Sequence, residues 1–378
     1  MTVSKQLTTS SKQLDQASLE IILACYQCGL CTSVCPKRKV SRYNPRRIIH
    51  SALIGQALAD EDLTDCLTCG LCVEHCPQMV DFPDFIRARR ATSTIEEENF
   101  AHHNIFNLSQ KFMVDMAESG MKFDYEGEID PQSSIAYFPG CIDLYDRFLD
   151  LTKVSFHQIG QSAINLMNKA GFKPNLLSLK CCGHDAYWTG DEDSFNKSRE
   201  YNSRVIRESG ISTLVVSCAE CFYSFEKLYE LEGVKIQHIS QFIVEHQGAL
   251  EFKEKKTVLT YHDPCRLGRY MKDYDSPRDV LQSIPSAKMV EMANNRENCN
   301  CCGVSAWLRC DDKARAIMLQ KLDEATVTGA NELIVACTKC FAHLNCVLED
   351  KQAQHDYKIQ VKELGSLADE LTAKNKNS

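Results

Sequence analysis

Thr213-Leu-Val-Val-Ser-Cys-Ala-Glu-Cys-Phe222 and Leu333-Ile-Val-Ala-Cys-Thr-Lys-Cys-Phe341 decide the fold. Each is a short apolar run of strand length ending in C-x2-C. Two further runs, at 135–138 and 258–261, each lead into a proline and a cysteine: Ala136-Tyr-Phe-Pro-Gly-Cys141 and Leu259-Thr-Tyr-His-Asp-Pro-Cys265. Amphipathic stretches such as 154–170 and 313–325 lie between the runs. Such alternation implies α/β units. Cys181-Cys-Gly183 corresponds to Cys301-Cys-Gly303, and the offset between equivalent cysteines falls from 124 to 120 to 119. The segment is therefore a duplication, with the charged stretch Glu251-Phe-Lys-Glu-Lys-Lys256 as its joint.

The whole chain has 378 residues and 21 cysteines, with 43 Lys and Arg against 51 Asp and Glu. An apolar fraction of 44% excludes a largely disordered chain. The formal charge of −8 argues against a nucleic-acid binder, which carries a basic face. Residues 1–16 show no apolar leader, the odd cysteine count defeats a scheme of disulfides alone, and no apolar run approaches the length of a membrane span. The expectation is a cytoplasmic protein whose reduced cysteines are metal ligands, peripheral to a membrane only through a partner.

Upstream of the duplication lie Cys25, Cys28, Cys31 and Cys35 before Pro36, and Cys66, Cys69, Cys72 and Cys76 before Pro77. Both read C-x2-C-x2-C-x3-C-P, the bacterial ferredoxin run for [4Fe–4S] cubanes, in which the fourth cysteine ligates the other cluster. By that rule Cys25, Cys28, Cys31 and Cys76 hold one cubane, and Cys66, Cys69, Cys72 and Cys35 the second. A pair of zinc sites is the competing reading, and zinc prefers widely separated C-x2-C pairs. Helices are expected around 19–23 and 46–58, with Asn44-Pro45 as a helix start. Residues 91–133 read as a connector with one helix near 105–118.

Each repeat offers five thiols, one more than a cubane or a tetrahedral zinc requires. Adjacent cysteines do not easily reach separate corners of a compact cube, but could bridge irons in an unusual cluster. Gly183 and Gly303 are expected to let the backbone approach that group.

These residues carry a family resemblance. The CCG repeats resemble the cysteine-rich domain of the B-type subunits of heterodisulfide reductase, and the ferredoxin motifs resemble the C-type subunits. The chain from about residue 20 to 350 is similar to a C–B fusion. The resemblance implies α+β and α/β architecture: a helical two-cluster ferredoxin-like domain (15–95), a connector (96–133), two duplicated α/β CCG domains (134–250 and 257–350) and a C-terminal helix or tail (351–378). It also implies four [4Fe–4S] clusters, two cubane and two noncubane. Carried over, Cys141, Cys181, Cys182, Cys218 and Cys221 hold the first noncubane cluster. Cys265, Cys301, Cys302, Cys337 and Cys340 hold the second. In the family the substrate disulfide lies between these clusters, and each gives one electron to one sulfur.

The implied activity is reduction of a small-molecule disulfide such as CoM-S-S-CoB within a hetero-oligomeric complex. The A-type flavoprotein of heterodisulfide reductase, or a membrane cytochrome, would supply electrons, since the chain has no dinucleotide fingerprint. The same superfamily contains electron-transfer subunits of flavin-dependent glycolate, lactate and glycerol-3-phosphate dehydrogenases, and these are the alternative. Where many relatives continue the second CCG with glycines, this chain has Val304-Ser-Ala-Trp-Leu308, which would reshape a cavity.

Beside the thiols, His184 and His262 are candidate proton donors to a leaving thiolate, weighed against structural histidines. Arg266 and Arg269 would attract an anionic substrate or offset cluster charge, weighed against solvated arginines. Trp188 and Trp307 suit a cavity wall or plain core packing. Lys37-Arg-Lys39 and Arg87-Ala-Arg-Arg90 would dock an acidic partner or form a solvated face. Cys299, Cys310 and Cys346 are left over, with Cys299 the leading candidate for a functional role.

Overall fold

The computed structural model describes residues 16–116, 118–149, 151, 153–350 and 357–372. The readings made of 1–15, and of the tail at 351–356 and 373–378, fall outside these residues.

Two four-stranded parallel sheets form the body. The first contains β1 (Ile135–Phe138), β2 (Asn175–Leu176), β3 (Thr213–Val216) and β4 (Lys235–His238) in the order β2-β1-β3-β4. The second contains β5 (Thr257–His262), β6 (Ala287–Met289), β7 (Glu332–Val335) and β8 (Gln360–Glu363) in the order β6-β5-β7-β8. All pairs are parallel. The four apolar runs seen in the sequence are β1, β3, β5 and β7, the inner strands. Parallel strands buried on both faces read as continuous apolar runs rather than alternating ones, and Leu214, Val215, Val216, Leu333, Ile334 and Val335 have no exposed surface. The duplication is thus visible strand for strand.

β8, ahead of the helix Leu364–Leu371, comes from the segment read as a C-terminal helix or tail. It pairs with β7, as β4 pairs with β3, and the helix Leu364–Leu371 follows it as Ile239–Glu245 follows β4. The second repeat therefore takes its fourth strand from beyond residue 357.

The repeats grip one another reciprocally. Helix His157–Lys169, between β1 and β2, packs on Leu364–Leu371. Helix Ser276–Gln282, between β5 and β6, packs on Ile239–Glu245. A single apolar core runs through both sheets.

The N-terminal region has its own small core of Ile48, Ile49, Phe82, Phe85 and Ile86. Helix Pro45–Leu53 starts at Asn44, whose side chain accepts from the Arg47 N–H, and ends short of the expected residue 58. Helix Phe82–Ala91 starts at Asp81 in the same way. Both have proline in the first turn, where no intrahelical N–H is lost. The connector helix Ile105–Asp115 is not a loose link. Its Phe106 stacks on Trp307 of the second repeat at 3.9 Å between ring centroids.

Candidate metal centres

The C-x2-C pairs sit where the central strands end. Cys218 follows β3 and Cys337 follows β7, each in extended backbone, and the next residue opens a helix, Ala219–Tyr223 or Thr338–Glu349. Open α/β sheets place ligands at these carboxyl ends. Gly140 brings Cys141 in after β1 with φ of +82°, and a Cβ there would stand 3.1 Å from Cys221 Sγ. The CCG glycines sit in tight surroundings. A Cβ on Gly183 would strike Phe195 at 2.7 Å, and one on Gly303 would meet the Ala314 carbonyl at 3.0 Å. Both are crowded by a neighbouring helix rather than by a thiol.

The ten repeat thiols are neighbours in series. In the first repeat Cys141, Cys181, Cys182, Cys221 and Cys218 each perturb the titration of the next. In the second repeat Cys265, Cys301, Cys302, Cys340 and Cys337 do the same, and Cys340 Sγ lies 3.4 Å from Cys302 Sγ. Cys218 and Cys337 act on one another across the seam. At the other end, Cys69 and Cys301 act on one another. The second ferredoxin motif therefore abuts the second repeat, and the second repeat abuts the first.

The ferredoxin thiols interleave. Burial pushes the Cys35 thiol up to about 12, with the charges of Cys69 and Cys66 adding to it. Burial also raises Cys72, beside Cys69, Cys66 and Cys35. Cys28 and Cys76 both act on Tyr26. Cys35, the fourth cysteine of the first motif, thus lies with Cys66, Cys69 and Cys72 of the second, and Cys28 and Cys76 share Tyr26 as a neighbour. Cys28 is exposed, whereas Cys66 and Cys69 are buried. Soft, purely thiolate donor sets in a buried setting fit iron–sulfur groups.

Opposite charges stand between the two C-x2-C loops. Glu220 is inside Cys-Ala-Glu-Cys and Lys339 inside Cys-Thr-Lys-Cys. Lys339 Nζ lies 2.7 Å from Glu220 and 2.5 Å from Asp185. Burial lifts the Glu220 carboxyl to about 7, against the pull of His184 and Lys339. Burial also opposes ionisation of Asp185, but Lys339 and His184 hold it below the usual carboxylate range. The sequence carried a signal here, two opposite charges at equivalent repeat positions, that motif reading alone passed over.

His184 is fully engaged. Arg266 Nε donates to its Nε2 at 2.8 Å, and its Nδ1 faces Asp185 at 3.0 Å and Glu220 at 3.3 Å. That network assigns the ring proton to Nδ1, and burial lowers the pKa further. His262 differs. Its Nδ1 lies 3.4 Å from Cys299 Sγ, and its Nε2 has no hydrogen-bond partner. It shares a 4.8 Å cluster with Cys302 and Cys340. Burial opposes charge on His262, but the Cys299 thiolate outweighs it and raises the ring to about 9. Cys299 is itself buried, 3.7 Å from Lys321 Nζ. His343, which motif reading missed, puts Nδ1 3.6 Å from Cys302 Sγ. Cys310 is exposed and Cys346 half-buried.

Arg266 and Arg269 are not solvated. Arg266 donates to the Thr68 carbonyl at 2.6 Å and to its hydroxyl at 2.9 Å, with the Trp188 and Tyr270 rings each 4.3 Å away. Arg269 donates to the carbonyls of Cys69 at 2.7 Å and Cys299 at 2.6 Å. Both pin the second ferredoxin loop to the second repeat. Trp188 and Trp307 are buried in packed aromatic clusters. The run after the second CCG is an anchor: Ser305 Oγ meets Thr68 Oγ1 at 2.7 Å, and the Trp307 carbonyl accepts from the Ala101 N–H at 2.7 Å.

The basic runs are partly internal. Lys37 is buried against Asp65. Arg90 donates to the carbonyls of Leu63, Cys66 and Trp188. Arg87 pairs with Asp84 and Glu192. In the first run Arg38 and Lys39 remain exposed.

A cysteine-rich domain model, CCG, matches residues 135–226 and 259–345, and a 4Fe-4S dicluster domain model matches 24–80. The chain is 27% identical to an uncharacterized iron-sulfur protein of Methanococcus maripaludis, over 94% of this chain and 74% of that protein. It is 28% identical to the D-type polypeptide of dihydromethanophenazine:CoB–CoM heterodisulfide reductase from Methanosarcina barkeri, over 65% of this chain and 60% of that relative. The B-type polypeptide of fumarate reductase (CoM/CoB) from Methanothermobacter marburgensis is 28% identical, over 65% of this chain and 49% of that relative. The chain thus spans less than two thirds of the two named reductase polypeptides. A crystal structure of a hypothetical protein from Helicobacter pylori shares the fold, with a TM-score of 0.60 at 13% identity, covering 94% of this chain and 72% of that one.

Proposed function

Because this chain joins a 4Fe-4S dicluster domain to two CCG cysteine-rich domains, the fused arrangement of the heterodisulfide reductase family, we propose that it is the catalytic iron–sulfur component of a multi-subunit disulfide reductase. Cys25, Cys28, Cys31 and Cys76 would hold one cubane, and Cys66, Cys69, Cys72 and Cys35 the other. The two five-cysteine sets would hold the noncubane clusters. When bound, these clusters supply one-electron storage and transfer. The overall reaction takes two electrons and two protons and turns one disulfide, such as CoM-S-S-CoB, into two thiols. An A-type flavoprotein of that family or a membrane cytochrome would supply the electrons.

One observation carries this reading: both five-thiol sets are complete, and the C-x2-C loops that end them face one another through the ion pair of Glu220 and Lys339. The chain's own residues have definable tasks. Arg266 supplies buried positive charge beside the Cys265 thiol, and Lys339 balances the carboxylates of Asp185 and Glu220. Arg266 holds His184 as the Nδ1–H tautomer, which stops its Nε2 from donating a proton. His262, with Nδ1 3.4 Å from Cys299 Sγ and its ring clustered with Cys302 and Cys340, is the better-placed proton holder.

The decisive experiment is anaerobic purification, iron and sulfide analysis, and spectroscopy during titration with CoM-S-S-CoB and other disulfides. About sixteen irons per chain, four per cluster, and disulfide-dependent thiol release are expected. Eight irons with two zincs would sink the paired-cluster reading.

A second reading, an electron-transfer component of a flavin dehydrogenase, is favoured by a different observation. The Glu220–Lys339 ion pair bridges the seam where a substrate disulfide would have to lie. Iron-loaded protein that exchanges electrons with a flavoprotein but releases no thiol from any disulfide would decide for it.

A further inference from the structure

The outward-facing ferredoxin loop lies in an unusual setting for an acidic chain. Cys28 is exposed, and around it Leu23, Tyr26 and Leu30 are 61%, 58% and 44% exposed. Beside this apolar centre is a cavity of about 600 Å³ lined by Arg38, Arg46, Arg47 and His50, with no carboxylate in its wall. Arg46 lies against Gly29, between Cys28 and Cys31, where a Cβ would meet its Cδ and Nη1 at 3.6 Å. Arg46 and His50 stand one turn apart on helix Pro45–Leu53, whose other face, through Ile48, Ile49 and Ala52, is buried. The chain carries a formal charge of −8 overall, so positive charge is gathered here against the balance of the molecule.

An apolar centre fringed by one sign of charge is how transient partners combine fast encounter with a close final fit. We propose that the surface formed by Leu23, Tyr26, Leu30, Arg38, Arg46 and His50 docks an acidic electron-transfer protein, one that surrounds its own redox centre with carboxylates. The inference rests on the reading that electrons enter through the dicluster domain. In each encounter the partner's centre is oxidised by one electron and the group held by Cys25, Cys28, Cys31 and Cys76 is reduced by one. The partner's carboxylates pair with Arg38 and Arg46, and its apolar rim covers Tyr26 and Leu30. Of the basic runs that stand out in the sequence only the exposed Arg38 contributes, while the buried Lys37 and Arg90 play no part.

The test uses the iron-loaded full chain with two probes, an acidic plant-type ferredoxin and a flavodoxin, measured by surface plasmon resonance and stopped-flow spectroscopy across a salt series. Wild type is expected to bind at low salt and to lose affinity as salt rises. Arg38→Glu/Arg46→Glu should weaken binding by roughly tenfold or more and flatten the salt dependence. Arg207→Glu/Lys227→Glu, the same charge change on exposed residues of the first repeat, should leave binding unchanged.

Wild type that binds neither probe at low salt, or two double variants that behave alike, would overturn the docking site. So would binding to anionic phosphatidylserine vesicles in place of the proteins. Iron content and chemical reduction by dithionite separate the two levels of inference. Protein that holds its clusters and reduces chemically, yet shows no effect of Arg38 and Arg46, loses only the docking site. Protein without clusters in the dicluster domain loses the reading beneath it.

Discussion

Lys339 stands between two buried carboxylates, Asp185 and Glu220, and its own side chain is almost wholly enclosed. Removing the ammonium while leaving both acids in place creates uncompensated buried charge, which costs about 3–5 kcal/mol. Lys339→Met is therefore expected to lower the stability of the iron-loaded protein by that amount in denaturant titration, and Lys339→Arg to restore most of it. The surplus cysteines divide in the same way. Cys299→Ser, in the buried cluster with His262 and Lys321, should alter the spectrum of the loaded protein. Cys310→Ser, on the surface, should leave spectrum and iron content as they are. All the metal-binding thiols proposed here were legible in the sequence, because ligand spacing is local. The charged residues between them were not. Arg90 and Arg266 look like surface cations until folding brings backbone carbonyls to them from 24 to 198 residues away, and Lys37 until it meets the Asp65 carboxylate.

Among the elements, the inner strands β1, β3, β5 and β7 could be read directly, since each is a mainly apolar run. The outer strands could not. β2 is two residues long, β6 is three, and β4 reads Lys-Ile-Gln-His, so none carries a pattern of its own. β8 hides in a polar segment and is a strand only because β7 offers it an edge. Its last residue, Glu363, caps the following helix by accepting from the N–H groups of Gly365 and Ser366. Burial pushes the Glu363 carboxyl up to about 7, against those two hydrogen bonds. With the folded pKa above the unfolded one, its contribution is intact below about pH 4.5 and is lost as pH rises through 7. Wild type should lose about 3 kcal/mol relative to Glu363→Gln between pH 4.5 and 8, read as the difference between their urea midpoints across pH.

At the scale of the whole molecule, the parts are held by contacts that no segment could form alone. Arg266 and Arg269 fasten the second ferredoxin loop to the second repeat, and Phe106 with Trp307 fastens the connector. The sequence showed two repeats and a dicluster region but carried no sign of how they interlock, because interlocking depends on helix faces that meet only after each sheet has formed. Truncation after residue 350 deletes β8 and helix Leu364–Leu371. It is expected to abolish soluble, iron-loaded protein rather than to trim a tail, as measured by gel filtration and iron content of the product.

The reciprocal helix packing has a bearing on ancestry. Helix His157–Lys169 meets Leu364–Leu371, and its counterpart Ser276–Gln282 meets Ile239–Glu245: one contact made twice with the roles exchanged. A single repeat carrying both faces would be self-complementary, the condition for closing on a copy of itself about a twofold axis. The present chain has the form of such a homodimer made covalent through the charged joint at 251–256. Fusion then freed the halves to diverge, so that one C-x2-C loop could take a glutamate and the other the lysine that faces it.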